Sequence, residues 1–261
     1  MEYVICLSYG KDSLGCFGAI AELGLPLDRV ITCDVMATDT IYADLPPMVE
    51  FKEYADKIIK SRFGYSVEHV RSKWTYERYF YRPISNHRNS KNAGHINGFP
   101  CIKGSWCNNR LKVSELQKHT KNCITYLGIA YDEPKRFKVL SDKKISPLVL
   151  AKWTEIDCYN WCEKNDLLSP IYKNSFRGGC WFCHFQSVDQ LRFLYHNYPD
   201  LWSLLLKWDS DSFITFKPGR TVHDFDARFT LEDKGLLFPA DSCFRWNLIE
   251  PGAPIQLKFF A

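Results

Sequence analysis

Two kinds of segment alternate along the first half of the chain. Residues 3–8 are a short apolar run, Tyr3-Val4-Ile5-Cys6-Leu7 and then Ser8, closed by a glycine turn, and read as a buried parallel strand. Residues 12–23 place Leu14, Phe17, Ala19, Ile20 and Leu23 at helical spacing and stop at Gly24 and Pro26. Residues 30–36 read as a second strand, and 46–63 as a helix whose Pro46 and Pro47 fit a first turn. Residues 67–71 read as a third strand. Strand, helix, strand, helix, strand is the order of right-handed βαβ units over a parallel sheet. The alternation resumes with a buried strand over 124–129. Thr154 with Asp157, and Ser187 with Gln190, have the spacing of capping boxes, opening helices to about 165 and to just before Pro199. Beyond Trp202 the pattern is mixed.

Composition narrows the class. The chain has 261 residues, 46% hydrophobic, 15% aromatic and 25% charged, which is globular rather than disordered or fibrous. No window approaches the roughly 18 uninterrupted apolar residues of a membrane span. The N-terminus has no basic leader before its first strand, so the expectation is a cytoplasmic protein without membrane association. Eleven cysteines in such a chain are expected to be reduced. The net charge of +4 is unevenly spread, because residues 71–112 hold nine Lys or Arg against one acid, Glu77. The same stretch carries Trp74, Tyr76, Tyr79, Phe80, Tyr81, His87, His95 and Trp106. Cations interleaved with aromatics suit phosphate contact and base stacking, and equally a loop that neutralises a small nucleotide.

Ser8-Tyr9-Gly10-Lys11-Asp12-Ser13 falls between the first strand and the first helix. A helix N-terminus there offers backbone N–H groups and a positive dipole end to an anion. Gly10 permits close approach, Lys11 adds a charge, and Ser8 and Ser13 add hydroxyl donors. The spacing is not that of a Walker loop. The segment resembles the S-x-G-K-D-S loop of the ATP pyrophosphatase (PP-loop) superfamily, close to the phosphoadenosine phosphosulfate (PAPS) reductase family. Gly128-Ile129-Ala130-Tyr131-Asp132-Glu133-Pro134-Lys135-Arg136 resembles that family's G-I-x-x-x-E-x-x-R segment. Lys144-Ile145-Ser146-Pro147-Leu148, Trp153-Thr154-Glu155-Ile156-Asp157 and Ser169-Pro170-Ile171-Tyr172 resemble its K-I-x-P-L, W-T-x-x-D and P-x-Y blocks.

The resemblance covers roughly residues 1–186. It implies an α/β fold of three layers, adenine nucleotide alpha-hydrolase-like, with a mostly parallel five-stranded sheet. Residues 71–112 form a basic aromatic insert, and residues 187–261 a mainly helical C-terminal extension. It also implies an adenine nucleotide bound by Ser8, Tyr9, Gly10, Lys11, Asp12, Ser13 and Gly128, with Asp132, Glu133 and Arg136 lining the site. Asp39 matches the acid of a D-T-G-like stretch in which Ile41 replaces the glycine. Lys11, Asp12 and Arg136 are the expected catalytic groups. The family's sulfonucleotide reductases carry a nucleophilic cysteine in a C-terminal tail, and here no cysteine follows Cys243. Lys11-Asp12 matches ATP, with Mg²⁺, better than a sulfonucleotide.

Cys180-Trp181-Phe182-Cys183 sets two thiolates at a spacing that reaches one metal, after Gly178 and Gly179. Cys107 is the best third ligand and Cys101 the best fourth, with His184 as a substitute. The same residues also suit a redox dithiol or inert buried thiols. The resemblance favours a [4Fe-4S] cluster over Zn²⁺, since sulfur-inserting relatives that thiolate tRNA or DNA pair this loop with such a cluster. Cys6, Cys16, Cys33, Cys123, Cys158 and Cys162 read as core thiols. His223 with Asp224 and Asp226 reads as a structural histidine before a catalytic one, and Trp202, Trp208 and Trp246 as packing for the extension.

The function expected is that of an enzyme, a sulfurtransferase-like ATP pyrophosphatase. It adenylates an acceptor, with tRNA or DNA as candidates through the basic insert. Sulfur would come from a cysteine desulfurase or another donor. The alternatives are a sulfonucleotide reductase using the Cys180/Cys183 thiols and a non-catalytic nucleotide- or nucleic-acid-binding module.

Overall fold

A computed structural model of the protein describes residues 1–85, 92–100, 105–173, 179–237 and 239. The chain forms two compact units, one of Met1–Arg82 with Lys103–Cys180 and one of Pro83–Ile102 with Trp181–Ala261. Among the described residues no helix is long and apolar enough to cross a membrane.

The first unit runs β1 (Tyr3–Leu7), α1 (Lys11–Leu23), β2 (Arg29–Asp34), α2 (Pro46–Ile58), β3 (Val67–Arg71) and α3 (Tyr76–Phe80). It continues with the short α4 (Trp106–Asn108), α5 (Ser114–His119), β4 (Ile124–Tyr126), β5 (Lys144–Ile145), α6 (Pro147–Ala151) and α7 (Glu155–Lys164). The five strands form one sheet in the order β3-β2-β1-β4-β5, parallel throughout. Side chains alternate across it. Ile5, Leu7 and Val30 face a core built with Leu14, Phe17 and Ile20 of α1, Phe51 and Ala55 of α2, Leu148 of α6 and Cys158 and Cys162 of α7. Val4 and Ile31 face the opposite side with Cys123, and Cys6, Val70 and Leu116 of α5 pack there. Helices therefore cover both faces of the parallel sheet, in the three-layer α/β arrangement that the resemblance implies.

Several boundaries differ from the sequence reading, for local reasons. The second strand ends at Asp34, and Met36 instead bridges back to Tyr42. The helix expected over 46–63 is α2 followed by a π-helical turn (Ile59–Phe63), closed by Gly64 in the left-handed region at φ 82°. The strand expected over 124–129 stops at Tyr126, because the chain must pass Gly128 against the start of α1. The core cysteines behave as expected: Cys16, Cys33, Cys123, Cys158 and Cys162 are buried and Cys6 is half-buried.

The second unit contains α8 (Val188–Asn197), α9 (Pro199–Asp211) and α10 (Val222–Asp233), so among the described residues the region read as mixed is largely helical. Capping boxes at Ser187/Gln190 and Thr221/Asp224 start α8 and α10. Its core stacks Trp181 on Trp208 at 5.4 Å and sets Trp202 against Phe229 at 5.7 Å. Trp246 lies outside the described residues. Glu232 accepts from Arg192 at 2.6 Å and from the buried Arg228 at 2.7 Å, which neutralises the cations that this core encloses. Residues of the basic segment join this unit through Phe99, whose ring meets Phe216 at 5.1 Å and whose N–H donates to Ser212 Oγ at 3.3 Å.

Candidate nucleotide site

In the sheet order, β2 and β3 lie to one side of β1 and β4 and β5 to the other. The chain thus reverses its travel across the sheet between β1 and β4, and ligands of open parallel sheets bind at strand carboxyl ends beside such a reversal. The residues that follow β1 and β4 are 8–10 and 127–133.

Gly10 is the N-cap of α1 in an extended conformation, with no side-chain cap. Ser13 occupies the inside of the turn: its Oγ donates to the Gly10 carbonyl at 3.0 Å and accepts from the Ser8 N–H at 3.1 Å and Ser8 Oγ at 3.0 Å. The Lys11 N–H donates to the Tyr172 hydroxyl at 2.9 Å. A Cβ at residue 10 would meet that hydroxyl at 3.4 Å, an ordinary contact distance. The N–H groups of Asp12 and Ser13 have no acceptor among the described residues. Sulfur atoms fix the next turn, with Cys162 Sγ donating to the Lys11 carbonyl at 3.3 Å and Cys16 Sγ to that of Asp12 at 3.4 Å.

Lys11 Nζ lies between two carboxylates, 2.8 Å from Asp12 and 2.7 Å from Glu155. Burial opposes its charge, but the hydrogen bonds to Asp12 and Glu155 win and hold its pKa above the ordinary lysine value. Burial raises the pKa of Asp12, and Lys11 only partly offsets this. Burial also raises that of Tyr172, against the Lys11 N–H that favours its phenolate.

The β4 loop meets α1 at Gly128, where a Cβ would lie 2.5 Å from the Ser13 nitrogen and 2.7 Å from the Asp12 carbonyl carbon. Asp132 accepts from the Glu155 N–H at 3.0 Å and so helps to cap the start of α7. Glu133 accepts from the Ala130 N–H at 3.2 Å and binds Arg136 at 2.7 Å. The structure thus gathers Ser8, Gly10, Lys11, Asp12, Ser13 and Gly128 at one turn, with Asp132 joined to it through Glu155. Arg136 is 51% exposed and paired with Glu133, whose charge acts on Asp12. Asp39 pairs with Arg78 at 2.7 Å, both 58% exposed.

Glu155 and Tyr172 were not singled out as site residues in the sequence. Nor was a polar cluster beside the loop. Tyr9 is fully buried; its hydroxyl donates to Asp56 at 2.6 Å and lies 3.3 Å from His69 Nε2. His69 also contacts Asp34 at 2.7 Å and Asp56 at 2.9 Å, while Lys52 reaches Asp34 at 3.2 Å and Asp44 at 2.6 Å. The available signals were an aspartate ending an apolar strand and a histidine inside another.

Cys101 lies outside the described residues, Cys107 and Cys180 belong to the first unit, and Cys183 belongs to the second. Cys183 sits in a tight turn in which its carbonyl accepts from the Gln186 N–H at 3.0 Å, and Lys217 Nζ donates to the His184 carbonyl at 2.6 Å. Among the described residues no group of three or more His, Cys, Asp or Glu is arranged to hold a metal ion. His223 is bound to Asp209 at 2.7 Å, Asp224 closes a capping box, and Asp226 accepts from Trp202 at 2.7 Å. In the basic segment Lys73 and Arg82 both lie over the Trp74 ring, at 5.7 Å each, and Trp106 stacks with Tyr76 at 5.0 Å.

No protein-family model matches the chain, and no curated protein or solved structure matches it.

Proposed function

We propose that the protein is a PP-loop ATP pyrophosphatase of the PAPS reductase type, which adenylates an acceptor and prepares it for sulfur transfer. One observation carries the reading. A Ser-x-Gly-Lys-Asp-Ser turn ends the central strand of a parallel sheet at its point of reversal, and Gly128 lies against the first turn of the following helix. Such a turn offers helix N-terminal amides to phosphate, and Lys11, held protonated, adds the charge that a triphosphate needs. ATP would arrive as its Mg²⁺ complex.

The chemistry balances without a redox partner in the first step. An acceptor oxygen attacks the α-phosphorus, the bond from that phosphorus to the β-bridging oxygen breaks, and pyrophosphate leaves with the electron pair. Lys11 and the amides of Asp12 and Ser13 stabilise the leaving charge. In the second step a sulfide-level nucleophile displaces AMP from the acceptor carbon, forming C–S and breaking C–O. The basic aromatic segment supports a nucleic-acid acceptor, and a cysteine desulfurase would be a source of the sulfur once a thiol reductant, itself oxidised to a disulfide, has released its persulfide sulfur as sulfide. No step is assigned to a Cys-ligated metal. An iron–sulfur centre on Cys101, Cys107, Cys180 and Cys183 is a separate proposal, and iron, zinc and acid-labile sulfide per chain test it. About four irons with matching sulfide would support it; one zinc or no metal would reject it.

The experiment is product analysis of MgATP incubated with the chain, sulfide and separate RNA, DNA and small-metabolite fractions. AMP and pyrophosphate in equal amounts are expected with one fraction. ADP and orthophosphate would overturn the reading. Sulfite release from PAPS would move the protein to the reductases.

A further inference from the structure

We infer that Tyr9 is a positioning residue rather than a nucleotide contact: its side chain braces the phosphate loop from behind, through Asp56, His69, Asp34 and Lys52. The inference rests on the nucleotide reading of the loop and adds how that loop is held in shape.

Tyr9 has φ 56°, in the left-handed region. That conformation is strained for a residue with a Cβ, and glycine would adopt it freely. A non-glycine residue persists there when its surroundings over-determine it, and such residues cluster at functional sites. The surroundings of Tyr9 are specific. The ring is fully buried with Lys52 Nζ 5.5 Å from its centroid, and the hydroxyl donates to Asp56 at 2.6 Å. The side chain therefore runs toward α2 and β3, whereas Lys11 of the same loop runs toward Glu155 of α7. Residue 9 is the step from β1 to the N-cap Gly10, so its backbone angle sets the direction in which the first-turn amides of α1 start.

The brace continues away from the loop. His69 joins two carboxylates, its Nδ1 to Asp34 on β2 at 2.7 Å and its Nε2 to Asp56 on α2 at 2.9 Å. Lys52, also on α2, binds Asp34 and, at 2.6 Å, Asp44. The groups facing His69 are thus Asp34 from β2, Asp56 and Lys52 from α2 and Tyr9 from the loop, with Asp44 behind Lys52. The hydrogen bonds to Asp34 and Asp56, opposed by burial, raise the His69 pKa to about 9. At neutral pH it is a cation that donates to both carboxylates. It holds Asp56 for the Tyr9 hydroxyl, and deprotonation would withdraw one of those donors.

A double-mutant cycle tests this, with MgATP titrated calorimetrically and melting temperature recorded for each protein. Tyr9→Phe keeps the ring and loses the hydroxyl, while Asp56→Asn alters the far end of the brace. Each is expected to weaken MgATP binding about five- to tenfold at pH 7. The double variant should be no weaker than the weaker single one, because both break the same link. Wild-type affinity should also fall between pH 8 and 10, and the step should be reduced in Tyr9→Phe. Unchanged affinity in Asp56→Asn, or additive losses in the double variant, would overturn the brace and leave the nucleotide site standing. If Asp56→Asn fails to fold, His69→Gln takes its place in the same cycle. A wild-type chain that binds no MgATP would overturn the site reading itself, and the brace with it.

Discussion

Lys11 reaches two carboxylates, Asp12 and Glu155, and on the proposed function both would be shared or surrendered when a triphosphate binds. Lys11→Met is expected to cut pyrophosphate release by about 10²–10³-fold, the scale of losing one preorganised charge donor at developing negative charge. Melting temperature should change little, since Glu155, the 48% exposed end of the pair, returns to water when the 13% exposed Lys11 is replaced by an apolar side chain of similar length. Release at the wild-type rate would remove Lys11 from the chemistry. The residues at 8–13 were legible in the sequence because their chemistry is local and contiguous. Glu155 and Tyr172 were not, because 144 and 161 residues separate them from Lys11 and only the fold brings them to it. Arg136 was legible as a motif position, but its pairing with Glu133 was not.

At the scale of elements, the loop depends on how closely α1 is approached from two sides. Gly128 brings the β4 loop onto its first turn, and a Cβ there would meet backbone at 2.5 Å. Backbone cannot swing aside as a side chain can, so Gly128→Ala is expected to destabilise the first unit by about 1–3 kcal/mol. It should also weaken MgATP binding; a wild-type melting temperature would contradict the close approach. On the other side, Gly15 and Gly18 let α7 approach α1: a Cβ at Gly18 would lie 2.5 Å from the Trp153 and Trp161 rings, and one at Gly15 3.0 Å from Cys158 Sγ. The start of α7 is set by the Thr154/Asp157 capping box, and Thr154→Ala should cost about 1 kcal/mol, read by denaturant midpoint. The capping boxes at Thr154/Asp157 and Ser187/Gln190 and the first helix were legible because caps and 3.6-residue periodicity are local signals, whereas the third box, at Thr221/Asp224, was not read. The start of α9 was hidden because Pro199 reads as a stop for α8, yet it also occupies the first turn of α9. The end of β4 was hidden because an apolar run does not reveal where a glycine must leave the sheet.

At the scale of the whole molecule, the parallel sheet followed from the βαβ order, but the division into units did not. Phe99 belongs with Phe216 through an aromatic contact that no local pattern announces. One pH effect belongs to this scale. His69 has a folded pKa of about 9 against an ordinary value of 6.5, so the folded state binds more protons between those limits. Its stabilising contribution is complete below about pH 6.5 and disappears as pH rises through about 9. The side chain is 35% exposed, so solvent screening makes the effect smaller than the full shift implies. Melting temperature should therefore decline from pH 6.5 to 9 in the wild type and decline less in His69→Gln. Parallel curves would contradict a cationic His69.

The most direct test of the central claim is calorimetric titration of MgATP into the wild-type protein and into Lys11→Met at pH 7. Saturable one-site binding is expected for the wild type, at least tenfold weaker in Lys11→Met, with both proteins melting at similar temperatures. Absence of binding, or equal affinity in the two proteins, would contradict a nucleotide site at residues 8–13.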